Sequence, residues 1–222
     1  LHLSIRRQRQ MCIRDRAQTG SGKTLAYALP ILQYILENTA HSQDPARSLE
    51  ALVLTPTREL ALQVCSHIRA VVEAGGRFAN VAAICGGMSV QKQERVLLQH
   101  GGAHIVVATP GRLWDMIKHD DALALRVRRT RFLVIDEADR MIEAGHFAEM
   151  DLLLQMVRRT KGAAADANPD MQTFVYSATM SKALQTNLKR ALWRKKQRRE
   201  AEPSNTLDDL LARVDFRDAE PV

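Results

Sequence analysis

The chain has 222 residues, of which 45% are hydrophobic and 26% are charged, and its formal net charge is +7. Such a chain can form one α/β domain with a sizeable core, or two small domains. No apolar run is long enough to span a bilayer, and Cys12, Cys65 and Cys85 lack the spacing of a zinc site or a disulfide framework, so we expect no membrane partner and a reducing, intracellular compartment.

The first sixteen residues do not suit the position that they hold. Five arginines lie between Arg6 and Arg16, directly before a glycine-rich loop that a buried, apolar strand normally precedes. Leu1–Arg16 matches, residue for residue, one reading frame of a transposon-based sequencing adapter; a genuine basic arm for nucleic acid is the alternative. We predict that residues 1–16 are adapter-derived and non-native, and that the native first strand is missing. Without these five arginines and one aspartate the net charge falls from +7 to +3, so composition says little about RNA.

Strand-like and helical segments alternate along the rest of the chain. The strand-like segments are short, rich in β-branched residues and continuously apolar, as strands buried on both faces are. They are Ala51–Pro56, Val81–Gly87, His104–Pro110, Arg131–Asp139 and Gln172–Thr179. The helical segments begin at Thr24, Thr57, Ser89 and His146. This alternation predicts an α/β fold with a doubly wound, mainly parallel sheet, and ligands beyond the carboxyl ends of its strands.

The glycine-rich loop AQTGSGKT, Ala17–Thr24, has the pattern of a nucleotide-binding loop. Gly20 and Gly22 let the backbone curl so that its N–H groups converge on phosphate oxygens, and Lys23 adds a charge that reaches the β- and γ-phosphates. The Thr24 hydroxyl can bind Mg²⁺, and the loop opens onto a helix N-terminus, which favours anions. The loop alone does not separate kinases, GTPases, transporters and helicases.

An acidic pair follows the apolar run FLVI in the segment VIDEAD, Val134–Asp139. Asp136 can hold Mg²⁺, partly through water, because this ion prefers hard oxygen ligands and keeps much of its hydration. Glu137 can orient and deprotonate an attacking water. Helix N-termini are also enriched in acids, but that enrichment does not explain a pair placed directly after a buried strand.

Together these motifs resemble those of the DEAD-box ATP-dependent RNA helicases. The literal DEAD and the phosphate loop occur with PTRELA, GG, TPGR and SAT, all in family order, from Ala17 to about Ser181. The resemblance implies a RecA-like P-loop NTPase domain over residues 17–190, with ATP and Mg²⁺ as cofactors and RNA as partner. Residues 191–222 would be a basic segment and the start of an interdomain linker.

The resemblance also implies a role for each motif residue. The loop residues Ala17, Gln18, Thr19, Gly20, Ser21, Gly22, Lys23 and Thr24 would bind ATP, with Lys23, Asp136 and Glu137 catalytic and with Thr24 and Asp136 at the metal. The RNA backbone would contact Pro56, Thr57, Arg58, Gly86, Gly87, Thr109, Pro110, Gly111 and Arg112. Asp139, Ser177, Ala178 and Thr179 would couple the nucleotide state to RNA binding. Small residues and exposed N–H groups suit sugar–phosphate contacts, which carry no sequence preference, and arginines can bind phosphates in bidentate fashion.

A finer resemblance concerns the second half of the chain. DRMIEAGHFAEMDLLLQM, a basic insert after SATM, and LDDLLARVDFRDAEPV are similar to helicases of large ribosomal subunit assembly in the eukaryotic nucleolus. This similarity implies a nuclear or nucleolar location, with pre-ribosomal RNA and assembly factors as partners. Gly145–Phe147 is interpreted as a turn that packs a helix rather than as a histidine site, and Trp114 and Trp193 as packing residues rather than stacking platforms.

Two features of that family are absent from the sequence: an upstream aromatic and glutamine motif that reads adenine, and a second RecA-like domain with arginine fingers. We therefore expect the 222-residue chain alone to hydrolyse ATP poorly and not to unwind RNA. One alternative function is an ATP-gated RNA clamp that holds RNA or recruits partners without processive unwinding. Another is a DNA translocase on the same fold, against which the DEAD spelling and PTRELA weigh.

Overall fold

The computed structural model describes residues 13–15 (backbone only), 22–38, 49–98, 102–157 and 171–177. Predictions about Ala17–Ser21, Ala178, Thr179, Trp193 and residues 191–222 lie outside the described residues. Within the described part of the chain, no helix is long and apolar enough to cross a membrane.

Six strands form one sheet in the described residues, and every pair of neighbouring strands is parallel. Their order across the sheet is β1-β6-β5-β2-β4-β3. The strands are β1 (Ile13–Asp15), β2 (Ala51–Leu54), β3 (Val81–Ile84), β4 (Ile105–Ala108), β5 (Phe132–Ile135) and β6 (Gln172–Tyr176). The five strand-like segments of the sequence are thus confirmed as β2 to β6.

The described helices connect these strands and cover both faces of the sheet. They are α1 (Lys23–Asn38), α2 (Arg58–Ala74), α3 (Val90–Leu98), α4 (Pro110–Ile117), α5 (Asp121–Arg128), α6 (Ala138–Glu143) and α7 (Phe147–Val157). The four predicted helices correspond to α1, α2, α3 and α7, whereas α4, α5 and α6 were not predicted. Parallel strands need such crossovers, because consecutive strands must run in the same direction.

Alternate residues of each strand feed two separate hydrophobic cores. On β2, Leu52 and Leu54 join one core, while Ala51 and Val53 join the other. The first core lies against α4, α5 and α7, and the second lies against α1 and α2. All four β2 side chains are fully buried. A continuously apolar strand is therefore required here, since neither face of the sheet meets solvent.

Strand β1 is formed by a segment whose sequence does not suit a buried strand. The backbone of Ile13–Asp15 pairs in parallel with Phe174–Tyr176 of β6, directly before the phosphate loop, and the absence of the native first strand stays a prediction. A strand edge offers N–H and C=O groups to any extended segment, whatever its side chains. The three-residue pairing thus occupies the position of a first strand without the apolar sequence expected there.

The GHF segment forms a turn, as predicted. Gly145 has φ +78°, and its N–H donates to the carbonyl of Ile142, while the N–H of His146 donates to the carbonyl of Met141. These two bonds form a Schellman motif, which ends α6 in the left-handed conformation that glycine adopts without strain. Trp114 packs against the first core and carries Lys118 over its ring, which agrees with the predicted packing role.

Candidate nucleotide and RNA sites at the carboxyl edge of the sheet

The hydrogen-bond ladder links the carboxyl ends of four neighbouring strands, β3, β4, β2 and β5, and brings the motifs together. Three residues that each follow a strand donate their N–H to the last carbonyl of a neighbouring strand. The bonds are Thr109 to Ile84 (3.0 Å), Thr55 to Ala108 (2.9 Å) and Asp136 to Leu54 (2.9 Å). The acidic pair and the motifs PTRELA, GG and TPGR therefore lie along one edge, where ligands of this fold bind.

The described part of the phosphate loop is its junction with α1. Gly22 has φ +85°, and its carbonyl accepts the N–H of Ala26, which closes the first turn of the helix. Lys23 and Thr24 are half-buried in that turn. The first N–H groups of a helix have no partners within it, so this end suits a phosphate, and the binding of ATP here stays a prediction.

Asp136 is a buried carboxylate with one oxygen engaged. The residue is 3% exposed, and its Oδ2 accepts a hydrogen bond of 3.1 Å from the hydroxyl of Tyr27. Among the described residues its Oδ1 has no hydrogen-bond partner. Burial raises the pKa of Asp136, while the Tyr27 bond and the charge of Lys23 oppose that rise. A hard cation at Oδ1 would satisfy this oxygen, so the site fits the predicted Mg²⁺.

Tyr27 was missed by the sequence interpretation. It is fully buried, its ring lies 5.4 Å from that of Tyr176, and burial raises the pKa of its hydroxyl, which therefore stays a neutral donor. The side chain of Thr24 lies near enough to oppose part of this rise in pKa. Tyr27 lies one helical turn after Thr24, and that spacing is the signal that the sequence contained. Its hydroxyl therefore lies beside both predicted metal ligands, Thr24 and Asp136.

Glu137 adopts an unusual backbone conformation. Its φ of 50° and ψ of 51° lie in the left-handed region, where a residue with a side chain costs about 1–3 kcal/mol, and such residues cluster at functional sites. Its Oε2 accepts a 3.0 Å bond from the guanidinium of Arg140, whose side chain is 64% exposed. The candidate base is therefore paired with a solvent-facing cation that the sequence interpretation had not considered.

Three predicted RNA motifs meet at the loop Cys85–Met88. Arg58 donates to the carbonyl of Gly86 at 3.0 Å, and Arg112 donates to the carbonyl of Met88. Gly87 has φ +75°, and a Cβ atom there would overlap Nη1 of Arg58. Both arginines were predicted to bind RNA phosphates. Here each also bonds the double-glycine loop from within the protein.

The predicted RNA residues differ in exposure. Thr57, Arg58, Gly86 and Gly87 are exposed, and Gly111 and Arg112 are half-buried. The side chains of Pro56, Thr109 and Pro110 are buried, so any contact of theirs with a nucleic acid would involve backbone atoms. Thr57 caps α2 by accepting the N–H of Leu60 at 3.3 Å, and Pro110 is the first residue of α4. These residues thus begin two helices as well as lining the edge.

The predicted coupling residues lie beyond neighbouring strands. Asp139 follows β5 and Ser177 follows β6, and these strands pair in parallel, so both residues stand at the same edge of the sheet. Both are buried, and Oδ1 of Asp139 accepts the N–H of Arg140 at 3.1 Å. Their role in coupling stays a prediction.

Comparisons with known proteins agree with this arrangement. The sequence profile described as DEAD/DEAH box helicase matches residues 4–186. ATP-dependent RNA helicase mak5 of Sclerotinia sclerotiorum is 40% identical in an alignment of 215 residues that covers 93% of this chain and 27% of that protein. The mak5 helicase of Schizosaccharomyces pombe is 42% identical in an alignment of 178 residues that covers 79% of this chain and 24% of that protein. The chain thus spans about a quarter of the length of these relatives.

Solved structures show the same fold. The yeast DEAD-box splicing factor Prp28 has a TM-score of 0.64 at 32% identity, over 79% of this chain and 38% of that one. The DEAD-box helicase Mss116 bound to ssRNA and UDP-BeF has a TM-score of 0.66 at 26% identity, over 80% of this chain and 34% of that one. These similarities confirm the predicted doubly wound, RecA-like fold.

Proposed function

The chain belongs to the DEAD/DEAH box helicase family, and from this premise we propose that it is the ATP- and RNA-binding first domain of an ATP-dependent RNA helicase. One observation carries the proposal: the helix of the phosphate loop reaches the acidic pair. The hydroxyl of Tyr27 bonds Oδ2 of Asp136 at 3.1 Å, and Lys23 is close enough to lower the pKa of that carboxyl. The first turn of α1 and Asp136 thus lie close together, which supports a site for a nucleoside triphosphate with its metal.

In this proposal ATP binds with its phosphates against the loop and the first turn of α1. Lys23 neutralises the β- and γ-phosphate oxygens, and Thr24 and Asp136 hold Mg²⁺, partly through water. The ion, when bound, supplies positive charge to the phosphate oxygens. Glu137 orients a water toward the γ-phosphorus and takes its proton; the bond to the β-phosphate oxygen breaks and ADP leaves.

RNA binds along the remainder of the edge, through its sugar–phosphate backbone. Arg58 and Arg112 retain guanidinium N–H groups beyond those that bond the loop Cys85–Met88, since each group carries five donors. The exposed N–H groups of Gly86 and Gly87 add uncharged donors at the same place. Contacts of this kind position a strand without reading its sequence. Asp139, Ser177 and Thr179 would then transmit the nucleotide state to this surface.

The whole protein would contain a second RecA-like domain that closes over ATP and RNA and supplies arginine fingers. The 222-residue chain alone would then hydrolyse ATP poorly. The resemblance of residues 139–156 and of the C-terminal segment supports a role in large ribosomal subunit assembly, in the nucleolus, with pre-ribosomal RNA and assembly factors as partners. Recovery of precursor ribosomal RNA after crosslinking to the protein in cells would test this role, and recovery of messenger RNA alone would contradict it.

Residues 1–16 are proposed to be non-native. The support is their match to an adapter and their arginine content, which does not suit a buried strand. The nucleotides that encode them test this directly: adapter codons are expected, and other codons would refute the proposal.

Unwinding of a short RNA duplex by the full-length protein tests the proposed function. Strand separation should require ATP and Mg²⁺ and should be lost in Lys23→Ala, because that variant lacks the charge that meets the phosphates. Glu137→Gln separates a remodeller from a clamp, since it slows hydrolysis but leaves ATP binding intact. A remodeller loses its cellular function in this variant, whereas a clamp keeps it. A full-length protein that separates strands equally well without ATP would contradict the proposal.

A further inference from the structure

Gln93 is a buried amide on a helix, α3, whose buried apolar contact to the first core is Leu97. Gln93 is 2% exposed, although Gln91 and Lys92, its neighbours on α3, are exposed. The side-chain nitrogen donates to the carbonyl of Cys85 at 2.9 Å and to that of Met88 at 3.2 Å. One side chain therefore bonds both ends of the double-glycine loop.

Three carbonyls of this loop have donors inside the protein. Gln93 occupies those of Cys85 and Met88, Arg58 occupies that of Gly86, and Arg112 is a second donor to Met88. In a trans peptide the C=O and the following N–H point in opposite directions, and all peptides between described residues are trans. Each following N–H group therefore points away from the side chain that bonds its own peptide: that of Gly86 away from Gln93, that of Gly87 away from Arg58, and that of Ser89 away from Gln93 and Arg112.

Outward-facing N–H groups at an exposed double glycine form a site for anionic oxygens. Gly86 and Gly87 are exposed, and Gly87 has φ +75°, a conformation that places successive N–H groups on one side of the backbone. Without side chains, these residues let a phosphate approach the backbone closely. The direction of the N–H groups, and hence the site, depends on where the three carbonyls are held.

We propose that Gln93 is a positioning residue for RNA binding, which fixes the loop Cys85–Met88 so that its N–H groups meet the phosphates of the strand. The proposal rests on the proposed function, because it assumes that the phosphates belong to RNA. The uncharged amide offers two N–H donors without burying a charge. A glutamate at this position would place carboxylate oxygens, which only accept hydrogen bonds, against the carbonyl oxygens of Cys85 and Met88.

The unused oxygen of the same amide shows that packing alone does not explain this residue. Oε1 of Gln93 is buried and has no hydrogen-bond partner in the described part of the chain. A buried, unpaired acceptor costs stability that an apolar side chain of the same length would avoid. The contribution of Gln93 therefore comes from its side-chain nitrogen, which bonds both ends of the loop Cys85–Met88.

The test uses the full-length protein with Gln93→Met, which keeps the length and removes the amide, and Gln93→Glu, which keeps the shape and replaces the donor. Gln91→Met and Gln91→Glu, on the exposed face of the same helix, are the matched controls. Fluorescence anisotropy gives the affinity for single-stranded RNA with ATP and Mg²⁺ at several salt concentrations. A fluorescent ATP analogue without RNA gives nucleotide affinity, and thermal unfolding reports the fold.

We expect both Gln93 variants to bind RNA about tenfold more weakly, the effect of removing one or two hydrogen bonds, while nucleotide affinity stays unchanged. The slope of log affinity against log salt should stay close to that of the wild type, because the lost donors are uncharged N–H groups and the arginines that neutralise phosphates are unchanged. Gln91 variants should match the wild type. A merely structural role would weaken RNA and nucleotide binding together, with a lower melting temperature, and would overturn the proposal.

The other outcomes are also decisive. If the wild type binds RNA and the Gln93 variants bind it equally well, this proposal alone is overturned. If the wild type binds no RNA, the proposed function fails and this proposal fails with it. Should Gln93→Glu not fold, Gln93→Met carries the test, because an apolar side chain of equal length preserves the packing of α3.

Discussion

Removal of the Tyr27 hydroxyl should weaken the site while leaving the fold intact. Tyr27→Phe keeps the buried ring against Tyr176 and deletes the donor to Oδ2 of Asp136. A hydrogen bond to a charged group contributes about 1.5–3 kcal/mol, and among the described residues Oδ1 of this carboxylate has no partner to compensate. For a chain of this length, each kcal/mol lowers the melting temperature by about 2–4 °C.

The loss should depend on pH with a defined sign. Burial raises the folded-state pKa of Asp136, so the ionised form is disfavoured in the folded protein, and the Tyr27 bond offsets part of this effect. Without that bond the pKa rises further. The difference in unfolding free energy between wild type and Tyr27→Phe should therefore be largest at neutral pH, and it should shrink as the pH falls through the raised pKa of Asp136.

Thermal and urea unfolding without nucleotide, at a series of pH values, measure this difference. Tyr34→Phe is the matched control, since it removes a hydroxyl from the same helix at a ring that packs on Phe132 instead. The Mg²⁺ concentration needed for half-maximal binding of an ATP analogue should rise in Tyr27→Phe alone. Equal losses in the two variants, or a loss that does not change with pH, would refute the assigned role of the hydroxyl.

Three further substitutions have defined outcomes. Asp136→Asn should raise the unfolding free energy at neutral pH, because it removes a buried carboxylate whose pKa is raised by burial, and this gain should vanish in acid. Urea unfolding measures the gain, and a lower unfolding free energy at neutral pH would contradict the prediction. Thr57→Ala should cost about 1 kcal/mol because it removes the cap on Leu60, whereas Thr57→Ser should cost little; equal costs in chemical denaturation would count against the cap. Gly87→Ala should weaken RNA binding, because the added Cβ displaces Arg58. Gly76→Ala is the control: its φ is +94° and no atom lies within 4 Å, so it should lose about as much stability as Gly87→Ala but no RNA affinity. Fluorescence anisotropy with RNA measures the difference, and equal RNA affinities of the two variants would exclude the steric effect.

The sequence predicts the sheet because burial on both faces leaves a clear pattern. Strands such as Ala51–Leu54 and Phe132–Ile135 are continuously apolar and end in the residues that carry the chemistry. Helices α4 and α5 were not predicted, because eight residues are fewer than the about 11–18 over which a helical pattern is normally recognised. Their start signals, Pro110 at the first position and the Asp120 cap, were nevertheless present.

The contacts within the site could not be read from the sequence. Tyr27 and Asp136 are 109 residues apart, and their contact depends on α1 packing against the sheet. The amide of Gln93 meets Cys85 and Met88 only because α3 turns back over its own connection to β3. The pairing of β1 does not conflict with the arginine-rich sequence of residues 1–16, because backbone hydrogen bonds do not depend on the side chains from which the sequence is interpreted.

The most direct test of the proposed function is ATP hydrolysis by the full-length protein with single-stranded RNA or single-stranded DNA of the same sequence. We expect that RNA stimulates hydrolysis, that DNA does not, and that Glu137→Gln abolishes the activity while the protein still binds ATP. Equal stimulation by DNA, or no effect of RNA on hydrolysis, would contradict the assignment of this chain to an RNA-dependent ATPase.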